Sequence, residues 1–189
     1  MKYKLYRTLK FIVKPFFILN HRVKIKGLEN IPKEGPVVLA GNHKSYFDAL
    51  IMHAGPKRIV HMLAKKELFK TKFTNAFFKA AACIPVDRKE HDDNAKKEAL
   101  KVLNDGDVLG IFPEGTTKKK VDLLPFKYGA VSLAKKAKAM LVPFAITGCY
   151  NPFKGGVTIT YGPAYQVTGD LDFENTKLRN IVSKMMKVK

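Results

Sequence analysis

A single α/β domain, a mainly parallel twisted sheet flanked by helices, is what this sequence predicts, and three observations predict it. Short apolar runs alternate along the chain with stretches of helical periodicity, the pattern of repeated strand–helix–strand units. At 189 residues the chain is long enough for one domain with a substantial core. Its most chemically distinctive polar residues fall just after the apolar runs, where open α/β sheets gather their sites.

Taken in order, residues 2–20 have Leu5, Leu9, Ile12, Val13 and Phe16 on one side of a helical wheel and Lys4, Arg7, Lys10 and Lys14 on the other. This is a basic amphipathic helix, kinked or restarted near Pro15. Such an element suits a membrane interface, although a helix packed on the domain with a solvated basic face gives the same pattern. The chain divides on this basis into an N-terminal membrane-association segment, 1–22, and a main domain, 23–189. Val23-Lys24-Ile25-Lys26 alternates as a short edge strand, and Pro32, Gly35 and Pro36 make 29–36 a turn-rich connector. Residues 37–41 read as a buried strand and 58–63 as a second strand. Residues 66–81 read as a helix rich in Phe, whose rings fit a core, an acyl-chain tunnel or a lipid contact equally well. Residues 83–86 form a third strand, and 93–104 a helix capped by Asp92 or Asp93. Residues 107–112 form a fourth strand and 127–138 a helix. The last strands are 141–147 and 157–161, and a charged helix, 174–188, closes the chain.

Thirty-five Lys and Arg against sixteen Asp and Glu give a formal charge of +19. A field of that sign attracts nucleic acid, anionic lipid surfaces or phosphorylated substrates. Specific nucleic-acid binding is not expected, because neither aromatics interleaved with basic residues nor a recognisable reading helix is present. Cys83 and Cys149 read as two reduced, buried thiols, and neither these nor the five histidines have zinc-type spacing. No cleavable signal peptide is expected. No uncharged apolar run reaches the roughly 18 residues that a spanning helix needs.

Two segments carry chemistry. In Gly41-Asn42-His43-Lys44-Ser45-Tyr46-Phe47-Asp48, Ser45 and Asp48 are spaced as a capping box, so a helix is expected to begin at Ser45. His43 then lies on the turn between strand and helix, with Asp48 able to fold back towards its ring. A carboxylate on one imidazole nitrogen fixes the tautomer and stabilises the imidazolium formed when the other nitrogen takes a proton. The alternative is a loop histidine and an acid that merely favours the helix dipole. The second segment, Ile111-Phe112-Pro113-Glu114-Gly115-Thr116-Thr117, also follows an apolar run.

Together these segments resemble the glycerolipid acyltransferases, small bacterial 1-acylglycerol-3-phosphate acyltransferases above all. The shared features are an Asn-His followed by four residues and Asp, then a Phe-Pro-Glu-Gly block. Ile84-Pro85-Val86-Asp87-Arg88 and Val142-Pro143-Phe144 fit the same family, and all four blocks occur in its order between residues 41 and 144. The resemblance implies a glycerol-3-phosphate acyltransferase-like fold and acyl transfer from acyl-carrier protein or acyl-coenzyme A, as co-substrate, to the sn-2 hydroxyl of lysophosphatidic acid. It implies no further cofactor, and the cytoplasmic face of an anionic membrane surface as the place of work. Glycerol 3-phosphate or another lysophospholipid is the alternative acceptor. His43 is then the general base and Asp48 its orienter. Arg88 grips phosphate, or alternatively pairs with Asp87 or Glu90. Glu114 bonds a glycerol hydroxyl, Gly115 lets backbone approach the ligand, and Thr116 belongs to the same binding turn. Relatives commonly have Arg where this chain has Thr117, so a phosphate contact must come from neighbours. Lys127, in Pro125-Phe126-Lys127, is the first choice, ahead of Lys118, Lys119 and Lys120. There is no Gly-x-Ser-x-Gly elbow, so direct transfer without an acyl-enzyme is expected, with Ser45 a capping residue rather than a nucleophile.

Overall fold

The computed structural model describes residues 4–87, 92–117, 123–151, 153 and 156–187. Its centre is an eight-stranded sheet. Seven strands run in the order β1 (Lys24–Lys26), β7 (Val157–Tyr161), β6 (Met140–Gly148), β2 (Val37–Gly41), β5 (Val108–Ile111), β3 (Val60–Lys65), β4 (Cys83–Val86), and β8 (Tyr165–Gln166) pairs with β6 off this path. The five strands β6, β2, β5, β3 and β4 are joined by four parallel pairings: β2 with β5 and with β6, and β3 with β5 and with β4. Only the pairings of β7 and β8 with β6 are antiparallel among the described strands, and β1 lies parallel to β7 at the edge. The mainly parallel α/β sheet expected from the strand–helix alternation is therefore present.

Alternation along the central strands divides the core into two layers. Val38, Ala40, Leu109, Ile111 and Leu141 face one way, beneath α4 (Asp93–Asn104), α5 (Gly129–Lys136) and α6 (Leu171–Lys187). Val37, Leu39, Val108, Val142, Phe144 and Ile146 face the other, under α2 (Asp48–Ala54). The N-terminal helix α1 (Lys4–His21) lies on this second side. It is assigned as one helix with Pro15 inside it. Its Ile18 packs on the core and its Tyr6 is buried. The side chains of Leu5, Leu9, Ile12, Val13, Phe16, Lys4 and Lys14, on which its expected amphipathic pattern rests, lie outside the described residues.

Several boundaries differ from those expected, each for a local reason. The second helix begins at Asp48, not Ser45. The Ser45 hydroxyl accepts from Phe47 N–H (3.3 Å), and the Asp48 carboxylate turns back onto the N–H groups of Lys44 and Ser45, so 45–47 are used up in a turn. Residues 66–81 split into a 3-10 turn, Lys66–Phe69, and α3 (Lys72–Ala80). Thr71 starts α3 through a reciprocal capping box with Thr74 (3.1 and 3.2 Å). The final helix starts at Leu171, because Asp170 caps it by accepting from Phe173 N–H (2.9 Å). Residues 58–63 move to Val60–Lys65, and 127–138 shorten to Gly129–Lys136.

The parallel order places the carboxyl ends of β5, β2 and β6 side by side on one rim. Gly41 ends β2, and a Cβ there would lie 2.1 Å from the Phe144 carbonyl oxygen and 2.6 Å from its ring. Neither can retreat, because Phe144 is fully buried within β6. Gly41→Ala should therefore destabilise the fold by about 1–3 kcal/mol or more, the usual cost of overpacking a tight core, read as a lowered urea midpoint.

Candidate active site

The rim formed by the ends of β2, β5 and β6 brings His43, Glu114 and Tyr150 together. His43 follows Gly41 and Asn42 at the end of β2, Glu114 follows β5, and Tyr150 follows β6. Asn42 fixes the first turn. Its fully buried amide donates to the Ile146 carbonyl (2.9 Å) and accepts from Ile146 N–H (2.7 Å), extending the β2–β6 ladder by a side chain.

The imidazole of His43 shares its Nδ1 with Asp48 Oδ2 at 2.8 Å. Asp48 is wholly buried, and the same oxygen accepts from Lys44 N–H (2.6 Å) and Ser45 N–H (2.9 Å), while Oδ1 accepts from the Tyr150 hydroxyl. A buried carboxylate stays ionised only when so supplied with donors. The His43 ring lies flat on Phe112, with centroids 3.9 Å apart and planes 10° apart, and Phe112 is held edge-on by Phe144. The ring is thus fixed by a carboxylate at one nitrogen and by a π-face beneath it. Both contacts fix the orientation of the ring. Glu114 holds the backbone: its Oε1 accepts from His43 N–H (2.7 Å) and its Oε2 from Leu124 N–H (2.8 Å).

Gly115 completes the turn after β5 with φ +69° and donates its N–H to the Phe112 carbonyl. The Lys127 side chain runs directly beside it, its Nζ within 3.5 Å of where a Cβ would sit. Lys127 N–H is bonded to the Pro113 carbonyl (3.0 Å), which ties the two segments together. Thr116 and Thr117 reach the wall of a cavity of about 870 Å³, which His43 and Phe112 line together with Leu50, Leu63, Leu68, Phe77 and Phe78. Of the residues expected to form a site, the structure brings together His43, Asp48, Glu114, Gly115, Thr116 and Lys127. Arg88 and Lys118 to Lys120 lie outside the described residues.

Tyr150 and Phe112 received no role from the sequence. The only trace of Tyr150 is an aromatic two residues beyond a strand end, which acquires meaning once β6 is known to neighbour β2. Cys83 and Cys149 are free thiols as expected, but both are half-buried rather than buried. Burial still pushes the Cys83 thiol up to about 12. Among the described residues no cluster of three or more His, Cys, Asp and Glu could hold a metal ion. Among them also, no helix is long and apolar enough to cross a membrane.

Fold and geometry together define the class: an α/β enzyme with a clamped imidazole–carboxylate pair whose imidazole lines a largely apolar cavity. Comparison with known proteins agrees. Residues 22–147 match the family described as Acyltransferase. A 1-acyl-sn-glycerol-3-phosphate acyltransferase of Bacillus subtilis is 36% identical over 146 residues, covering 76% of this chain and 72% of the relative. That of Borreliella burgdorferi is 29% identical over 171 residues, covering 85% and 68%. The crystal structure of the 1-acyl-sn-glycerophosphate acyltransferase of Thermotoga maritima superposes with a TM-score of 0.78, covering 95% of this chain and 77% of that one. At 22% identity, that likeness establishes the fold. The chain belongs to the acyltransferase family, and the protein is an enzyme of that class.

One further wall of the cavity titrates. Burial first, then the charge of Lys10 and the proximity of His61, lower His53 to about 4. Its Nδ1 accepts from the Tyr6 hydroxyl (3.2 Å), which in turn accepts from Val60 N–H (3.0 Å). The unfolded chain takes up a proton near the ordinary value of about 6.5, which the folded chain refuses. Stability is therefore full above that value and declines as the pH falls towards 4. The urea midpoint should drop between pH 7 and pH 5, and His53→Gln should flatten that part of the profile.

Proposed function

We propose that the protein transfers a fatty acyl group from a thioester, acyl-coenzyme A or acyl-carrier protein, to the sn-2 hydroxyl of 1-acyl-sn-glycerol 3-phosphate, forming phosphatidic acid for phospholipid synthesis. The observation that carries this reading is the His43–Asp48 pair, 2.8 Å apart, with His43 lining a largely apolar cavity of lipid size. The names of the relatives supply the substrate class.

With Nδ1 engaged by Asp48, His43 uses Nε2 to take the proton of the acceptor hydroxyl as its oxygen bonds to the thioester carbonyl carbon. The tetrahedral oxyanion collapses, the carbon–sulfur bond breaks, and the imidazolium returns its proton to the departing thiolate. No covalent enzyme intermediate and no cofactor is used. Glu114 holds His43 by its backbone, and its carboxylate is the group assigned to accept from a glycerol hydroxyl. Gly115 leaves room for the headgroup, Thr116 and Thr117 line its approach, and Lys127 supplies the cation that the Thr117 position lacks, together with Arg88. Both donors are acidic, so a chain of charge +19 draws them in.

The lipid acceptor enters from a bilayer, with the enzyme held peripherally at its cytoplasmic face by α1 and by a second element. No residue of α3 is buried. Phe73 (79% exposed) and Phe77 (40%) present rings to the outside beside Leu68 (44%), ringed by exposed Lys70, Lys72 and Lys79. Aromatic rings among lysines fit an anionic lipid surface.

The decisive assay supplies lysophosphatidic acid in lipid vesicles with either donor and identifies products by mass. Wild type should yield phosphatidic acid, and other acceptors markedly less product. His43→Ala should lower turnover by ~10²–10⁴-fold in a protein that still unfolds cooperatively in urea, and near-normal turnover in that variant excludes the mechanism. Separately, Phe73→Ser with Phe77→Ser should weaken co-sedimentation with vesicles containing anionic lipid by about 10-fold or more, the effect of losing one or two partly buried rings.

A further inference from the structure

Beyond the ends of β2 and β6 the two chains remain joined by alternate side chains. Asn42 meets Ile146, the Lys44 ammonium donates to the Gly148 carbonyl (2.7 Å), and Tyr150 donates to Asp48. Gly148 makes the turn that allows this, with φ +78°. The loop after β6 is thereby laid along the histidine turn, and Tyr150 arrives over the one Asp48 oxygen that His43 does not use. The tyrosine is itself held from outside. His21, the last residue of α1, donates Nδ1–H to the Tyr150 carbonyl (2.8 Å). Phe47 and His21 pack on its ring at 5.5 and 6.0 Å between centroids.

We propose that Tyr150 is a positioning residue for the His43–Asp48 pair, setting how strongly Asp48 attracts the imidazole proton, and that His21 seats it there. The proposal rests on His43 being the base. Burial first, and then the Asp48 charge, hold the Tyr150 hydroxyl far above the ordinary tyrosine range, so it remains a donor throughout the working pH range. By donating to Oδ1 it draws charge away from the carboxylate. Removing it leaves a more basic Asp48 and a more stable imidazolium, so His43 gives up its proton at higher pH. The other charged and titratable groups facing His43 come from every neighbouring segment. Glu114 bonds its backbone N–H, Lys44 is turned to Gly148, Lys10, His53 and Lys65 line the cavity, and Lys127 lies at Gly115. None of these is altered by a change confined to the Tyr150 hydroxyl.

The test compares kcat/KM against pH for wild type, Tyr150→Phe and His43→Ala, with urea midpoints for each. Tyr150→Phe keeps the ring contacts. It should lower kcat by about 10-fold, a fraction of what a general base contributes, and leave KM for the thioester near wild type. The acid limb should move to higher pH by roughly half a unit or more. 3-Fluorotyrosine placed at 150, a stronger donor of nearly the same shape, should move that limb to lower pH, and it keeps the question answerable if the Phe variant folds poorly. His21→Ala should move the limb in the same direction as Tyr150→Phe by a smaller amount. If both 150 variants titrate as wild type while His43→Ala is inactive, the role assigned to Tyr150 is wrong and the base assignment survives. If His43→Ala remains active, the base assignment itself fails. A lowered urea midpoint with an unmoved acid limb marks Tyr150 as structural only and overturns the proposal.

Discussion

One buried carboxylate holds together the turns at the carboxyl ends of β2 and β6. Asp48 is without solvent contact, and its two oxygens collect donors from its own turn, from the histidine it serves and from the segment after β6. An ionised group in such a place is costly unless every lone pair is answered. The donors that satisfy Asp48 therefore fix the turn, the imidazole and the neighbouring loop in one arrangement. Glu114 does similar work one strand away, joining the backbone at His43 to that at Leu124.

The sheet order is what lets a few local motifs become one site. β2 lies between β5 and β6 in parallel register, so the turns that follow these three strands emerge on the same rim. The crowding is severe: Gly41 meets the Phe144 carbonyl, Phe144 props Phe112, and Phe112 carries the imidazole. A path of direct contacts runs from the fully buried middle of the sheet to the His43 imidazole. The ring's orientation is thereby inherited from the core rather than from loops.

Much of this was legible in the residues, and the reasons for what was not are physical. The α/β class followed from strand and helix periodicity, and the proximity of His43 to Asp48 followed from five residues of separation on a turn. The start of α2 was misplaced because the Asp48 carboxylate caps backbone N–H groups from within the helix. The α3 cap was overlooked because Thr74 replaces the usual Glu or Gln in its box. Contacts across the sheet, such as Glu114 with His43 backbone or Tyr150 with Asp48, depend on which strands are neighbours, and no local pattern encodes that. The resemblance to acyltransferases brought Glu114 forward, but as a ligand group. Its bonds to backbone emerge only from the folded chain.

The insertion of Tyr6 bears on how the first helix is understood. Its hydroxyl joins Val60 of β3 and His53 of α2, and with Lys10 it forms part of the cavity wall. The helix is thus a panel of the compartment rather than a detachable tether. Shifting or excising it removes Tyr6 and Lys10 from the wall and opens that side of the cavity to water.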